Sequence, residues 1–262
     1  MIKMEYKNLI VEREEHVGII TMNRPNVLNA LNGDLMSEML MAFEELEGDE
    51  RIGTIVLKGA GRSFCTGHDL NELGTLPPLE RREVIGRSVK IWEYIDRMTK
   101  PVIAAVHGYA TAAGCGLAAA CDMIVASEDA KFQTPGVDLG VFCISPMVPL
   151  FRSVGMKKSI EMLFTGDIFS AKDAEKIGLV NKVVPDDELI DSALKLAKKI
   201  SDKSWAALQI GKPAFYLMFD MDYIHALAYG RDLITLASTS EETIEGAIAL
   251  VEKRSPHWER PK

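Results

Sequence analysis

Residues 101–127, PVIAAVHGYATAAGCGLAAACDMIVAS, constrain the fold more than any other part of the chain. Both ends of the segment carry the β-branched and apolar residues of buried strands, at 103–106 and 123–125. Between them, residues 111–121 are almost entirely Ala, Gly, Cys and Leu. Side chains this small let a helix lie very close to its neighbours. The segment therefore predicts a strand, a tightly packed helix and a second buried strand.

The start of this predicted helix is a candidate anion site. The first N–H groups of a helix have no partner inside the helix and lie at the positive end of its dipole. Here they belong to Ala112, Ala113 and Gly114, which follow Gly108 and Thr111. These groups suit an oxygen that carries negative charge. A small-residue helix at a crowded core crossing accounts for the same composition without any ligand.

A second loop favours the anion site over that simpler interpretation. Residues 59–73, GAGRSFCTGHDLNEL, follow a predicted strand at 54–58. Gly67 permits a turn that directs the N–H of His68 inwards. Two such loops, if they meet, hold one carbonyl oxygen between two amides.

Five segments of the chain, in order, resemble motifs of the crotonase (enoyl-CoA hydratase/isomerase) superfamily, and together they extend over most of its length. They are RPNVLNALN at 24–32, GAGRSFCTGHDL at 59–70, HGYATAAGCGLAAACD at 107–122, KFQTPGVDLG at 131–140 and EMLFTGDIFSAKDAEKIGLVNKVV at 161–184. The resemblance implies an α/β fold: a crotonase-like spiral of ββα turns with the acyl-CoA site over residues 1–185, then a C-terminal helical region at 186–262. In this family the C-terminal helices pack across subunits, which implies a homotrimer or a dimer of trimers.

The resemblance also assigns a chemistry to the two amide loops. It implies that the N–H groups of His68 and Ala113 hold the thioester carbonyl of an acyl-CoA while that carbonyl becomes an enolate. Removing one such donor typically costs about 3 to 4 kcal/mol of transition-state stabilisation. Coenzyme A then enters as part of the substrate, and neither a permanently bound cofactor nor a metal is expected.

Composition argues against several other classes of function. A chain of 262 residues with 47% hydrophobic residues is long enough for a large core, and no apolar run reaches the length of a membrane span. The formal net charge of −8 argues against a nucleic-acid partner. The first residues resemble neither a signal peptide nor a transit peptide, so a cytoplasmic protein is expected.

The four cysteines, Cys65, Cys115, Cys121 and Cys143, lie in apolar or small-residue surroundings and lack metal-ligand spacing. No base adjacent in sequence marks any of them as a nucleophile. We therefore predict buried free thiols.

Hydrophobic patterns predict the remaining elements. A hairpin is expected over 8–22, and an amphipathic helix follows an N-cap at Asn32. Further predictions are a long helix over 80–98, a short strand over 131–134, and C-terminal helices over 186–201, 204–219, 223–237 and 241–253.

The standard acids of the resembled family are missing from the aligned positions. Typical hydratases read Gly-Gly-Gly-Cys-Glu at the second oxyanion loop, whereas here Cys115 is followed by Gly116. A second glutamate normally follows the proline of a Gln-Pro-Glu triplet, and here Pro135 is followed by Gly136. The acid of the isomerase and dehalogenase branches aligns with Ile144. The chain most resembles enoyl-CoA-hydratase-domain-containing proteins that also lack both glutamates.

Three replacements for these acids stay open. His68 stands where the family has a small or apolar residue, and an unperturbed imidazole titrates near neutrality, as a general base should. The alternative for His68 is a histidine that only satisfies a hydrogen bond. Asp138, the nearest carboxylate in sequence, either takes part in catalysis or caps the chain locally. The third replacement is a bound anion. The family's naphthoyl-CoA synthases have Gly at the position aligned with Gly136, and some of them bind bicarbonate there.

The same resemblance predicts contacts with coenzyme A in three short segments. The residues concerned are Val27, Leu28, Asp69, Leu70, Lys253 and Trp258. The segment before the first helix is aligned with residues that lie against the CoA adenosine, and the C-terminal pair with groups that contact phosphates or adenine. Each segment also has a simpler interpretation without a ligand. Residues 27–28 then form a turn, Asp69 caps a helix, and the C-terminal residues form a solvated charged tail.

Three functions therefore remain compatible with the sequence. The leading one is a noncanonical enoyl-CoA hydratase or isomerase that stabilises a thioester enolate between two backbone amides. An acyl-CoA thioester hydrolase uses the same amides for a tetrahedral intermediate. A catalytically inactive protein that binds CoA esters keeps the site without the chemistry.

Overall fold

Nine β-strands in two sheets form the framework of residues 5–258, the part of the chain that this computed structural model describes. The strands are β1 (Leu9–Glu14), β2 (Val17–Met22), β3 (Thr54–Gly59), β4 (Val102–Val106), β5 (Tyr109–Thr111), β6 (Met123–Ser127), β7 (Lys131–Gln133), β8 (Phe169–Ser170) and β9 (Lys182–Val184). The larger sheet has the order β1-β2-β3-β4-β6-β9, and the smaller sheet has the order β5-β7-β8.

The strands of the larger sheet are parallel except for the first hairpin. β1 pairs antiparallel with β2, as the sequence predicts, and β2, β3, β4, β6 and β9 pair in parallel. Parallel strands are covered on both faces, which explains the continuous apolar runs in β3 and β4. Since the carboxyl ends of parallel strands meet at one edge, the loops that follow β3 and β4 lie side by side.

The described residues also form eleven α-helices. They are α1 (Gly33–Glu47), α2 (Leu70–Thr75), α3 (Pro78–Arg97), α4 (Ala113–Ala120), α5 (Ile144–Val154), α6 (Met156–Thr165), α7 (Ala171–Lys176), α8 (Leu189–Ser201), α9 (Trp205–Phe219), α10 (Tyr223–Ala237) and α11 (Glu241–Glu252). Short 3-10 helices occupy Pro25–Val27, Pro135–Leu139 and Asp186–Glu188. None of the helices in this part of the chain is long and apolar enough to span a bilayer.

The larger sheet is buried on both faces. Ile55 and Leu57 of β3 belong to the main core, which α1, α3 and α4 complete. Val56 points the other way, into a second cluster that includes Ala193 and Ala197 of α8. The alternation of side chains along β3 therefore places helices on both sides of the sheet.

Most of the predicted elements are confirmed, with shifted ends. α1 begins after Asn32, whose side chain accepts a hydrogen bond from Leu35 N at 3.0 Å, as an N-cap should. The helix predicted over 111–121 is shorter, because residues up to 111 form β5 and the helix begins at Ala113. The C-terminal helices α8 to α11 are present, and the sequence predicted neither α5 nor α6.

The predicted division into a spiral core at 1–185 and a helical region at 186–262 stays a prediction. α8 lies in the second part but packs on the larger sheet. By contrast, α10 has no buried residue in the single chain.

Candidate active site

The two predicted amide loops are joined by a ladder of main-chain hydrogen bonds. Cys65 N donates to Tyr109 O at 3.0 Å, and Thr111 N donates back to Cys65 O at 3.0 Å. Phe64 N donates to His107 O at 2.9 Å. The loop after β3 is therefore fixed against the chain that leads into α4.

Two glycines allow the loops to come into contact. A Cβ atom on Gly114, in the first turn of α4, would overlap the carbonyl oxygen of Cys65. Gly67 has φ +93°, and a Cβ built on it would lie 3.3 Å from Ala113 N and 3.0 Å from the Ala112 Cβ. The peptide between Gly67 and His68 thus lies directly against the start of the helix. Any other residue at position 67 would be strained and crowded.

The amides of His68 and Ala113 are unpaired donors at the contact between the two loops. Leu31 N donates to Gly67 O at 2.7 Å and Asp69 N donates to Leu31 O at 2.9 Å, so the residues on both sides of His68 are bonded. Within residues 5–258, the N–H groups of His68 and Ala113 donate no hydrogen bond. Two unpaired donors therefore come from two loops in contact. They suit an oxygen with developing negative charge.

Ala112 holds the peptide before Ala113 in an unusual orientation. Its backbone has φ +49° and ψ −120°, a region that residues with a Cβ rarely adopt. Ala112 N donates to Gln133 O at 2.9 Å, which helps to keep the residue in this conformation. Strain of this kind costs about 1 to 3 kcal/mol and is typical of functional sites.

The segment before α1 braces the first loop. Asn29, which is fully buried, donates through Nδ2 to Ala60 O and Ser63 O, both at 2.8 Å. Arg24 forms an ion pair with Asp69 at 3.0 Å. Sequence reasoning did not single out Arg24 or Asn29. The RPNVLNALN motif, which contains both residues, was the sequence feature that could have indicated them. In this structure the motif supports the first loop.

The imidazole of His68 is held by a serine of α3. Its Nε2 lies 3.1 Å from Ser88 Oγ, and the Ser88 hydroxyl donates to Ile85 O at 2.8 Å. The hydroxyl proton is used on Ile85, so Ser88 accepts from His68 Nε2–H. Nδ1 of the neutral imidazole then keeps its lone pair.

Burial lowers the pKa of His68 to about 4. This differs from the titration near neutrality that an unperturbed imidazole predicts. The physical reason is desolvation, which disfavours the charged imidazolium inside the protein. His68 is therefore an uncharged hydrogen-bond acceptor at neutral pH.

Gly116 and Gly136, which the sequence analysis aligned with family acids, leave no room for a side chain. A Cβ on Gly116 would lie 2.9 Å from the Pro146 Cβ and 3.2 Å from Trp92 Cζ2. A Cβ on Gly136 would lie 2.7 Å from Val141 O and 2.9 Å from Cys143 Sγ. Neighbouring residues therefore occupy the space that a longer side chain would need.

The third aligned position and the nearest carboxylate are both exposed. Ile144 is the first residue of α5 and is 64% exposed. The Asp138 side chain lies beside Gly166, where a built Cβ would be 2.9 Å from a carboxylate oxygen. The structure gives Asp138 no contact with the His68 or Ala113 amides.

The predicted CoA contacts near the first loop have mixed environments. Val27 and Leu70 are exposed, at 39% and 64%. Leu28 adopts the left-handed conformation, and its carbonyl accepts from Thr66 N at 3.2 Å. The Asp69 carboxylate caps α2 by accepting from Asn71 N, as its simpler interpretation predicts.

The predicted C-terminal contacts lie at the end of the helical region. Lys253 is exposed and caps α11 in the left-handed conformation. Trp258 donates from Nε1 to Asp202 O at 3.0 Å, so its polar atom is used within the chain. A CoA contact at either residue stays a prediction.

The cysteines are free and buried, as predicted. Burial raises the pKa of Cys65 and of Cys115 to about 12, and it also raises the pKa of Cys121 and Cys143. Thiols in this state are poor nucleophiles.

A cavity of about 540 Å³ lies between α3, α5, α9 and the C-terminal end of α4. Trp92 forms part of its wall and also faces Gly116, so the indole lies between this cavity and the first aligned acid position. The Asp122 carboxylate in the wall is bonded to Lys212 and Tyr216 of α9, at 2.7 and 2.8 Å. These bonds fix α9 against the end of α4.

Comparisons with known proteins agree with this geometry. The family model described as enoyl-CoA hydratase/isomerase matches residues 12–261. A probable enoyl-CoA hydratase, echA8, of Mycobacterium tuberculosis is 37% identical over 97% of this chain and 99% of its own length. A solved enoyl-CoA hydratase of Mycobacterium smegmatis superposes with a TM-score of 0.93 at 39% identity, covering 96% of this chain and 99% of that one.

A second solved structure gives the same result. Human enoyl-CoA hydratase domain-containing protein 3 superposes with a TM-score of 0.93 at 33% identity, covering 96% of this chain and 100% of that chain. The α/β architecture with C-terminal helices is thus the crotonase fold, and the chain belongs to the enoyl-CoA hydratase/isomerase family, whose members process acyl-CoA thioesters.

Proposed function

We propose that this protein is a noncanonical enoyl-CoA hydratase or isomerase, which works without the paired glutamates of the family. The observation that carries the proposal is the pair of unpaired amides, at His68 and Ala113, on two loops in contact. In this proposal the thioester carbonyl oxygen of an acyl-CoA accepts from both amides. The negative charge of the enolate then develops against two preorganised donors.

His68 is the proton carrier in this proposal. Its Nδ1 lone pair takes a proton from a carbon next to the thioester carbonyl, and the C–H electron pair moves into the enolate. For an isomerisation, the same proton returns to a different carbon and the double bond moves. A pKa of about 4 makes the imidazole a weak base, so the amides supply most of the stabilisation.

The test removes one amide donor and leaves its neighbour in place. Ala113 is the first residue of α4, a position that accepts proline in a helix, and proline there replaces the amide hydrogen with its ring carbon Cδ. We expect Ala113→Pro to lower turnover of an enoyl-CoA by about 10²- to 10³-fold. Ala113→Gly, which keeps the N–H, is the matched control and should retain most of the activity. Equal activity of the two variants, with both folded by circular dichroism, would remove this amide from the proposal.

A protein that only binds CoA esters is the second candidate. It is favoured by the crowding at Gly116 and Gly136, since neither position carries an acid or has room for one. A panel of enoyl-CoA and saturated acyl-CoA thioesters separates the candidates. A change in double-bond absorbance supports the hydratase or isomerase, and release of the free thiol identifies a hydrolase. Saturable binding without any product supports the binding protein.

We also propose that the chain assembles as a homotrimer or a dimer of trimers. The last helices expose large apolar side chains, including Ile224, Ile234, Leu236, Leu250 and Val251, each more than 60% exposed. Side chains of this kind, grouped on adjacent helices, are typical of protein interfaces. Sedimentation equilibrium tests the proposal, and a monomer at micromolar concentration would contradict it.

A further inference from the structure

Two contacts show how α3 and α4 are aligned beside the unpaired amides. Ser88 of α3 lies 3.1 Å from Nε2 of His68, whose amide lies with that of Ala113 at the start of α4. Trp92, one turn further along α3, lies against Gly116, which follows Ala113 by three residues. The two helices therefore lead away from the unpaired amides side by side and in the same direction.

A barrier of two side chains closes the space between these helices at Gly116. A Cβ built on Gly116 would lie 2.9 Å from the Pro146 Cβ and 3.2 Å from Trp92 Cζ2. Trp92 is 8% exposed, and Pro146 of α5 is also buried. Three residues separate Gly116 from Ala113, which corresponds to about 4.5 Å along the helix axis. In this direction, a group bound at the amides has room for only a few atoms before it meets the indole.

The cavity of about 540 Å³ lies on the far side of this barrier. Asp96 and Ala120 line it, and they follow Trp92 and Gly116 by four residues each. Trp92 lines the cavity as well, whereas the residues of the two unpaired amides are not among the described residues that do. The indole therefore separates the cavity from the amides.

The other sides of this part of α4 are filled. A Cβ built on Gly114 would overlap the carbonyl oxygen of Cys65. The side chains of Cys115 and Leu117 fill two further sides and are 0% and 1% exposed. At Gly116 the helix adds no side chain of its own. A chain of atoms that follows α4 from the amides therefore passes on the Gly116 side, where the barrier stands.

We propose that Trp92 sets the length of the acyl chain that this protein accepts. The inference rests on the proposed function, in which the thioester carbonyl oxygen lies at the His68 and Ala113 amides. The indole ends the acyl pocket about one helical turn away, so short acyl-CoA thioesters bind and long ones are excluded. Without the indole, the pocket joins the cavity, whose wall includes the apolar side chains of Val148 and Leu179.

Binding of saturated acyl-CoA thioesters of increasing length tests this proposal, since these compounds have no double bond to hydrate. We expect the parent protein to bind decanoyl-CoA at least about tenfold more weakly than butyryl-CoA, as measured by isothermal titration calorimetry. Each CH₂ group that becomes buried raises affinity by about fourfold. Trp92→Ala should therefore bind decanoyl-CoA at least about tenfold more tightly than the parent does. Its affinity for butyryl-CoA should change by less than about threefold.

A second variant keeps the test independent of how well Trp92→Ala folds. Trp92→Leu leaves a smaller gap in the core and should raise the affinity for octanoyl-CoA above that of the parent. Trp92 Nε1 has no hydrogen-bond partner within residues 5–258, so neither substitution breaks a hydrogen bond of the indole. The matched control is Trp205→Leu, which removes a buried indole that packs against His16 instead of the cavity. The control should keep the parent's ratio of affinities for long and short chains.

That ratio is a readout that a merely structural role of Trp92 would not move, because loss of structure lowers the affinity for every chain length together. If none of the acyl-CoA thioesters binds to the parent, the proposed function itself is wrong. If the parent binds decanoyl-CoA as tightly as butyryl-CoA, the acyl-CoA site stands and the barrier at Trp92 is overturned. Folded Trp92 variants that keep the parent's ratio would overturn it as well.

Discussion

Nε2 of His68 lies 3.1 Å from the hydroxyl oxygen of Ser88, and the Ser88 hydroxyl donates a hydrogen bond to the carbonyl oxygen of Ile85. These two hydrogen bonds fix the tautomer of a partly buried imidazole and join α3 to the loop that follows β3. His68 thereby combines a backbone amide that faces the proposed oxyanion with a side chain that is uncharged at neutral pH.

The partly buried imidazole of His68 should make the free energy of unfolding depend on pH in a defined window. The folded-state pKa of His68 is about 4, whereas the pKa of a histidine in the unfolded chain is near the ordinary value of 6.5. The unfolded chain therefore binds more protons between these values, and this group's contribution is lost as pH falls from about 6.5 towards 4. The slope from this group approaches about 1.4 kcal/mol per pH unit at most.

Urea unfolding of the parent and of His68→Gln, at several pH values between 7.5 and 4.5, checks this prediction. The variant should lose part of the acid destabilisation that the parent shows. His257→Gln, which replaces an exposed histidine, is the control and should follow the parent. Parallel curves for the parent and His68→Gln would contradict a depressed pKa at His68.

Removing the Ser88 hydroxyl should affect both stability and turnover. Ser88→Ala leaves the His68 Nε2–H without an acceptor in a buried position, which costs about 1 to 3 kcal/mol. The imidazole also loses its orientation, so turnover of an enoyl-CoA should fall. Thermal unfolding and steady-state kinetics measure the two effects.

Ser159→Ala is a matched control for that change. The Ser159 hydroxyl is also buried and donates to a main-chain carbonyl, Gly155 O, at 2.8 Å, but it contacts no histidine. We expect a smaller loss of stability and unchanged turnover. If both variants lose the same stability and neither loses activity, Ser88 has no positioning role.

A substitution at the strained residue Ala112 should raise the stability of the protein, whereas the substitution at Ser88 should lower it. Glycine adopts φ +49° far more easily than alanine, so Ala112→Gly should stabilise the protein by up to about 1 kcal/mol. The gain is reduced because glycine also makes the unfolded chain more flexible. Ala118→Gly, inside the helix α4 that follows Ala112, should instead destabilise the protein by about 1 kcal/mol. Equal losses in both variants, measured by urea unfolding, would show that no strain is stored at Ala112.

Local sequence patterns predicted the parts of the site that depend on glycine and small residues. Gly67 and the small residues at 112–116, which are Ala, Gly and Cys, are local features of the sequence, so the two loops could be recognised from them. Ser88 could not be recognised in this way. Its partner His68 lies 20 residues away, and the contact depends on how α3 packs against the loop.

The errors in the predicted elements also have physical causes. The helix predicted from residue 111 starts later, since Thr111 is held in a strand by its bonds with the first loop. α5 gave a weak helical signal because Pro146 and Pro149 lie inside it. A tertiary contact therefore determines where α4 begins, and the two prolines explain why the sequence pattern did not predict α5.

Restoring an acid at position 116 should fail to restore hydration. A Cβ there already lies 2.9 Å from Pro146 and 3.2 Å from the Trp92 ring, so Gly116→Glu must displace one of them. Overpacking of a core costs about 1 to 3 kcal/mol, and burial of a charged group adds to that loss. Gly211→Glu, on α9 where a built Cβ meets no atom within 4 Å, is the control and should leave stability nearly unchanged or slightly higher. Thermal unfolding and crotonyl-CoA hydration measure the outcome. A stable Gly116→Glu protein that hydrates crotonyl-CoA faster than its parent would show that the pocket still accepts the carboxylate, contrary to the packing around Trp92.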